Sequence, residues 1–433
     1  MTPFEVGCIG IFLLIVFLLT GVHIGIVMAA VGFLGISYLN GWFAGLMVLK
    51  TVPFTTFANY GMSVVPLFIL MGAICFHTGI SQELYQAVNK WIGHLRGGLA
   101  MATIGACAAF AALSGSSLAT AATMGTVALP EMERYKYSQK LATGCIAAGG
   151  SIGILIPPSV PLILYGILAN QSIGKLFMAG IIPGILEAVF YIGTIWILCK
   201  RKPEIGPKGP KADFAEKRKA FKSAWVVVLL FTLVIGGIYL GIFSPTEAAG
   251  IGACGAVVFG LLRKRLTWKV FGKSLESTVE NTAMIFVIFL GAMILGYFLA
   301  VTRLPFEMAE FVGGLPVHRY VILFIVLGIY MLLGAVMDSL AMILLTVPIF
   351  YPLITTLGFD PIWFGIIIVR VTEIGLITPP VGLNVFIIKG IAKDVSMANI
   401  FGGIVPFLIA DVVHVALLLA VPQLTLFLPN LME

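Results

Sequence analysis

Two segments of the sequence place glycines and a double proline where an apolar helix would otherwise continue. They are residues 149–159 and 373–384. Proline lacks a backbone donor and clashes with the preceding helical turn, so we predict that a helix breaks in each segment. A break frees the carbonyl groups of residues 153–157 and 375–379, which suit an alkali cation, and the N-terminus of the following half-helix suits an anion. The alternative at each place is a plain proline kink in a structural helix.

A short stretch with small or polar residues interrupts the apolar run before each double proline. The first contains Ser114, Ser116 and Ser117, and the second contains Gly334 and Asp338. Asp338 is an ionisable residue in an apolar run, which makes it a functional candidate, although it could also cap a helix. The candidate contacts for a bound substrate are Ser117, Thr120, Ser159, Asp338, Arg370 and Asn384.

Other charged residues within apolar runs have structural alternatives. Arg370 and Glu373 lie three residues apart and share a helical face, so they could form a local ion pair, or Arg370 could clamp a carboxylate. Asp411 and His414 are also three apart, and we expect them to pack against another helix. Glu247 follows a Ser-Pro-Thr sequence and is expected to cap a helix.

The composition places the chain in a lipid bilayer. Of its 433 residues, 60% are hydrophobic and 10% are charged, with a mean hydropathy of +1.09, whereas soluble domains are about 25% charged. The net charge of +7 does not indicate nucleic acid binding, because the basic residues fall between apolar runs. The six cysteines form no C-x-x-C pair and are expected to be buried hydrophobic residues. The absence of phosphate-loop, H-E-x-x-H and G-x-S-x-G motifs argues against ATP as the energy source and against an enzyme.

The apolar runs define an all-α polytopic membrane protein. A spanning helix needs about 20 apolar residues. The clear runs are 4–20, 23–39, 62–78, 176–199, 223–241, 246–262, 282–301 and 402–428. Two longer interrupted regions, 98–170 and 320–390, are each expected to form a re-entrant hairpin followed by a broken helix.

The two halves of the chain are related by a shift of 222 residues. This shift aligns Ser117-Leu118-Ala119 with Ser339-Leu340-Ala341 and also aligns the two double prolines. Weak sequence matches that occur in the same order along two halves of a chain indicate an internal repeat, which is typical of secondary transporters. The predicted organisation is a first repeat at 1–199 (hairpin about 98–130, broken helix about 138–170), a basic linker at 200–222, and a second repeat at 223–433 (hairpin about 320–352, broken helix about 361–390).

The distribution of basic residues predicts the orientation. Each half would cross the bilayer five times, and because five is odd the two repeats are expected to be inverted. With both termini outside, 21 of the 26 Lys and Arg residues lie inside and four lie outside, while Arg370 is within a span. Cytoplasmic loops of membrane proteins are enriched in Lys and Arg, so this distribution supports termini outside the cytoplasm and a cytoplasmic linker.

Several motifs together resemble one family. The stretches are SGSSLATAATMG at 114–125, PEM at 130–132, GILIPPS at 153–159, SPTEAAG at 244–250 and IGLITPPVGLN at 374–384. They resemble the large membrane subunit of TRAP transporters, the tripartite ATP-independent periplasmic transporters, and the similarity covers essentially the whole chain. The resemblance implies an elevator mechanism, in which hairpins and broken helices slide against a scaffold, and import of organic acids such as dicarboxylates or sialic acids.

The resemblance also implies a coupling ion, Na⁺, at two sites between each hairpin tip and its neighbouring break. Carried onto this chain, the ligands would be Ser114 or Ser116 with Gly153, Ile156 and Pro157 at one site, and Gly334 with Gly375, Thr378 and Val381 at the other.

The family further implies two partners and a location. The partners are a small four-helix membrane subunit and a periplasmic substrate-binding protein, and the location is the bacterial inner membrane with both termini periplasmic. No four-helix segment precedes residue 4, so the chain looks like the unfused form. The alternatives are a self-sufficient sodium/dicarboxylate-type carrier without partners and, from another class, an ion channel or a structural membrane subunit without coupled transport.

Overall fold

The part of the chain that the structure describes is predominantly α-helical. The computed structural model describes residues 1–314 and 316–432, and no β-strand occurs within them. The helices are α1 Pro3–Leu19, α2 Ile24–Asn40, α3 Trp42–Phe57, α4 Val64–His77, α5 Ile80–Ile92, α6 Gly98–Ser114, α7 Ser117–Arg134, α8 Gln139–Ser151, α9 Val160–Leu168, α10 Ile173–Arg201, α11 Phe214–Tyr239, α12 Pro245–Leu262, α13 Trp268–Thr302, α14 Leu304–Gly313, α15 Arg319–Gly334, α16 Ser339–Thr356, α17 Pro361–Ile377, α18 Leu383–Ile391, α19 Met397–Ala420 and α20 Gln423–Asn430. Within these ranges, seven helical segments are long and apolar enough to span a bilayer. The prediction of an all-α polytopic membrane protein is therefore confirmed.

Two helix pairs have tight turns at the small or polar stretches of the sequence. Between α6 and α7, Gly115 has a positive φ of 56° and Ser116 accepts a hydrogen bond from the backbone of Ala119, so one helix ends and the next begins within two residues. Between α15 and α16, the Asp338 carboxylate accepts a bond of 2.9 Å from the Ala341 amide. Asp338 therefore caps α16. We call residues 114–117 and 334–339 tip 1 and tip 2.

Two helices stop at the double prolines and restart beyond them. Helix α8 ends at Ser151, a short 3₁₀ turn follows at Ile152–Ile154, and α9 begins at Val160 with Ser159 as its N-cap. Helix α17 ends at Ile377, and α18 begins after Gly382, whose φ is 66°. We call the intervening residues 152–159 and 378–382 break 1 and break 2. Irregular backbone of this kind is tolerated at membrane depth when it is enclosed by protein or lines a cavity.

Two stretches of helix were not predicted from the sequence. No apolar run was assigned to α3, and the run of α13 was taken to begin at residue 282, although that helix begins at Trp268. The Thr267 hydroxyl caps α13 by accepting from the Val270 amide. The first turns of α13 contain charged residues, which lowered the local hydropathy and concealed the helix.

Local signals elsewhere were interpreted correctly. The Ser244 hydroxyl accepts from the Glu247 amide, while the Glu247 carboxylate accepts from the Ser244 amide at 2.8 Å, so Glu247 forms the expected cap. All six cysteines are free. The expectation that all six are buried is wrong for Cys8 and Cys254, which are exposed on α1 and α12, where apolar side chains can face lipid.

Candidate functional site

Tip 1 lies against break 1. A Cβ atom added to Gly115 would lie 3.1 Å from the Pro158 carbonyl oxygen, and one added to Gly153 would lie 3.2 Å from the Ser116 carbonyl oxygen. The Thr120 hydroxyl donates to that same carbonyl at 2.8 Å and lies 2.9 Å from the Ser114 hydroxyl. Three oxygen atoms of tip 1 and its following helix therefore cluster beside the glycine of break 1.

Tip 2 meets the C-terminal end of α17, just before break 2, through two glycines. A Cβ atom added to Gly375 would lie 2.6 Å from the Gly334 Cα atom, and one added to Gly334 would lie 2.9 Å from the Thr372 carbonyl oxygen. The Gly382 amide donates to the Ala335 carbonyl at 3.4 Å, which joins break 2 to the tip. This close backbone approach requires glycine at both positions.

The oxygen atoms available where each tip meets its neighbouring helix break suit an alkali cation. Of the predicted ion ligands, Ser116 lies against Gly153 at tip 1 and break 1, and Gly334 lies against Gly375. The Thr378 amide donates to the Gly375 carbonyl at 3.0 Å. The predicted ligands offer only hydroxyl and carbonyl oxygens, which hard cations prefer. Among the described residues, no three His, Cys, Asp or Glu side chains are placed to hold a metal ion.

A cavity of about 680 Å³ lies between the two tips and helices α4 and α13. Its lining includes tip 1, Asp338 and Ser339 of tip 2, helix α4 from Ile69 to His77, and one face of α13. Of the six predicted substrate contacts, Ser117 and Asp338 line this cavity. A small organic anion placed here would lie beside the N-termini of α7 and α16, where helix dipoles favour negative charge.

The other predicted substrate contacts lie away from the cavity lining. Ser159 caps α9, and Thr120 belongs to the oxygen cluster of tip 1. The Asn384 amide group donates to the Ala147 carbonyl at 3.3 Å. Arg370 is completely buried.

Arg370 pairs with partners that are distant in sequence. Its guanidinium forms ion pairs with Glu187 of α10, at 3.1 Å, and with Asp411 of α19. Its Nε atom donates to Nδ1 of His414 at 3.3 Å. The local pair expected between Arg370 and Glu373 does not form among the described residues, because both Glu373 oxygens lack a hydrogen-bond partner there. The guanidinium thus holds helices α10, α17 and α19 together.

The N-terminal half of α13 presents a polar face to the cavity that was not predicted from the sequence. Lys273, Glu276, Glu280 and Asn281 all line the cavity. Lys273, Glu276 and Glu280 are spaced by three and four residues, which places them on one helical face, and Asn281 follows Glu280 directly. That spacing, just before an apolar run, was the available signal.

Sequence comparisons place the chain in a known family. The profile described as "Tripartite ATP-independent periplasmic transporter, DctM component" matches residues 11–424. The C4-dicarboxylate TRAP transporter large permease protein DctM of Pseudomonas aeruginosa is 36% identical over 378 residues, which cover 87% of this chain and 88% of that protein. The sialic acid TRAP transporter large permease protein SiaM of Vibrio cholerae is 33% identical over 86% of this chain and 87% of that protein.

The fold also matches a solved transporter. The crystal structure of the Alcanivorax borkumensis YdaH transporter has a TM-score of 0.67 and covers 87% of this chain and 88% of that chain. At 16% sequence identity this similarity concerns the fold alone.

The fold and the comparisons together define a multi-pass membrane transport protein and not an enzyme. More narrowly, the chain belongs to the TRAP transporter large permease family.

Proposed function

We propose that this chain is the large membrane subunit of a sodium-coupled TRAP transporter that imports an organic acid. The observation that carries the proposal is the contact of each hairpin tip with a helix break, beside a cavity flanked by helix N-termini. A cation between a tip and its break would hold the tip in place and offset the cost of dehydrating a nearby anion. Substrate affinity would then depend on sodium, which is coupling in the thermodynamic sense.

The proposed substrate class rests on the relatives. The two relatives are named for C4-dicarboxylate and sialic acid, and both substrates carry carboxylate groups. In this chain Lys273 and the hydroxyl groups of tip 1 line the cavity together with the acidic residues Glu276, Glu280 and Asp338. The N-termini of α7 and α16 are therefore the groups that would favour an anion there. We propose a carboxylate substrate accordingly.

Two partners complete the proposed transporter. They are a small membrane subunit, which would brace the scaffold, and a periplasmic binding protein, which would deliver the acid. The family is described as tripartite. We further propose that the hairpins and broken helices move together as an elevator in the bacterial inner membrane, with the two repeats inverted.

Sodium-driven uptake is the experiment that tests this function. Purified chain and both partners are reconstituted in proteoliposomes, and uptake of a labelled dicarboxylate or sialic acid is measured against sodium concentration. We expect saturable uptake that requires an inward sodium gradient and both partners. Uptake driven by protons alone would contradict sodium coupling. Full uptake by this chain alone would favour a self-sufficient carrier, and a steady current that does not saturate with the acid would favour a channel.

The proposed orientation makes a second prediction. In a background without native cysteines, Lys211→Cys lies in the exposed linker and Asn430→Cys lies near the C-terminus. An impermeant thiol reagent applied to whole cells with a permeabilised outer membrane should label Asn430→Cys and leave Lys211→Cys unlabelled until the inner membrane is disrupted. The reverse pattern would refute periplasmic termini.

A further inference from the structure

The first turn of α5 carries a carboxylate that binds two arginines from a distant part of the chain. The two Glu83 oxygens pair separately, one with Nη1 of Arg263 and the other with Nη2 of Arg265 at 2.7 Å. Arg263 follows the last residue of α12, and Arg265 lies in the short turn before α13. The Glu83 and Arg263 side chains are 14% and 20% exposed, so water weakens their attraction less than that of a surface ion pair. We call these three side chains the anchor cluster.

The anchor cluster also binds the backbone of two other helices. Nη2 of Arg263 donates to the Ser223 carbonyl of α11 at 2.7 Å. Nη1 of Arg265 donates to the carbonyl of Thr78, the residue that ends α4, at 3.3 Å. Directly after Thr78 the chain turns at Gly79, whose φ is 76°, and α5 begins. The corner between α4 and α5 is thereby fixed to the turn between α12 and α13.

The far end of α5 is attached to the hairpin that contains tip 1. The Asn89 amide group donates to the Glu131 carboxylate of α7 at 3.1 Å. Shortly beyond α5, helix α6 begins at Gly98 and leads to tip 1. Helices α4 and α13, whose ends the anchor cluster joins, line the cavity opposite the tips. Helix α5 therefore connects one wall of the cavity to the hairpin of tip 1, with a separate polar attachment at each end.

A second ion pair of α5 differs from the anchor cluster in its exposure. Lys90 lies 3.4 Å from the Glu216 carboxylate of α11, and the two side chains are 43% and 53% exposed. Ion pairs this accessible to water contribute little to stability. The anchor cluster is the stronger attachment, because its carboxylate is shielded and uses both oxygens.

We propose that Glu83 is a positioning residue for transport. It holds the start of α5 against the cavity wall, so that a displacement of the tip 1 hairpin turns α5 about a fixed end. This inference rests on the transport function proposed above. Without the carboxylate, Arg263 and Arg265 repel each other and the start of α5 loses its attachment. Glu83 is not among the residues that line the cavity, so it acts on the movement of the hairpin and not on the binding of substrate or sodium.

The test measures uptake of a labelled dicarboxylate or sialic acid by proteoliposomes that contain both partners, per folded chain. We expect Glu83→Gln to lower the maximal uptake rate roughly five- to tenfold, on the scale of one lost charge-assisted contact. The substrate and sodium concentrations for half-maximal uptake should stay unchanged, because neither tip is altered. An unchanged maximal rate overturns the proposal, and so does a shift in either half-maximal concentration at an unchanged rate.

Glu216→Gln is the matched control, because it makes the same change in the exposed ion pair of α5. A glutamine there can still accept from the Asp213 amide at the start of α11, as Glu216 does at 3.3 Å. Its maximal rate should equal that of the unmodified protein. An equal loss of rate in both variants would overturn a particular role for Glu83.

Exchanging the charges tests whether the pairing itself carries the effect. The combined variant Glu83→Arg, Arg263→Glu restores an opposite pair and should recover most of the rate that Glu83→Arg alone loses. A combined variant that folds but recovers no rate overturns the proposal.

Arg265→Gln keeps the test decisive if Glu83→Gln does not fold. The Arg265 side chain is 44% exposed and its removal leaves the pair of Glu83 with Arg263 in place, so the fold is expected to persist. We expect the maximal rate to fall roughly two- to threefold with unchanged half-maximal concentrations. If the unmodified protein shows no sodium-dependent uptake, the proposed function itself fails. If it does and the variants match it, this inference alone fails.

Discussion

Gly375→Val is expected to raise the sodium concentration for half-maximal uptake by roughly 5- to 150-fold, equivalent to a loss of about 1–3 kcal/mol. The added Cβ atom would lie 2.6 Å from the Gly334 Cα atom and 2.7 Å from its carbonyl carbon. Both are backbone atoms, which cannot rotate aside as a flexible side chain can. Tip 2 must therefore move away from the end of α17 that precedes break 2, and the proposed sodium ligands separate. The measurement is uptake against sodium concentration in proteoliposomes that contain both partners.

Gly328→Val provides the matched control for this prediction. Gly328 lies on α15 of the same hairpin, is exposed, and has no atom within 4 Å of an added Cβ. The same side chain there should leave the sodium dependence unchanged. Equal sodium dependence in Gly375→Val, Gly328→Val and the unmodified protein would show that the contact of tip 2 with break 2 does not form a sodium site.

Arg370→Met is expected to destabilise the protein by about 3–5 kcal/mol, because it leaves Glu187 and Asp411 buried without a countercharge. All three side chains are fully buried and belong to α10, α17 and α19. Replacing a whole buried ion cluster by apolar residues is often neutral or stabilising. The combined variant Arg370→Met, Glu187→Leu, Asp411→Leu should therefore recover most of the lost stability. Thermal unfolding of the detergent-solubilised protein measures both effects.

The combined variant also separates a structural role for Arg370 from a role as a substrate clamp. The cluster is not among the residues that line the cavity, so the substrate concentration for half-maximal uptake should stay close to that of the unmodified protein. Arg218→Met, at an exposed position of α11, is the control and should have the stability of the unmodified protein. A combined variant that folds but needs far more substrate would restore the carboxylate-clamp interpretation. Normal stability of Arg370→Met alone would refute the structural role.

Features with local causes could be predicted from the sequence. Apolar composition requires a bilayer, and a double proline removes helical hydrogen bonds wherever it occurs. The turns at Gly115 and Asp338 follow from a positive φ and from a side-chain cap, each decided within four residues. For this reason the helical membrane class, the two helix breaks and the position of both tips were accessible without tertiary structure.

Only the tertiary structure decided which groups meet. From the sequence alone, Glu373 was the candidate partner of Arg370. Helix packing instead brings Glu187 and Asp411 to Arg370. Glu187 lies 183 positions before Arg370 in the chain, and Asp411 lies 41 positions after it. The cavity face of α13 and the contact of Gly334 with Gly375 have the same origin. Sequence spacing determines which side chains share a face of one helix. Which face meets which neighbour depends on the combined packing of all the helices, because the charge and the space available to each side chain come from residues far away in the chain.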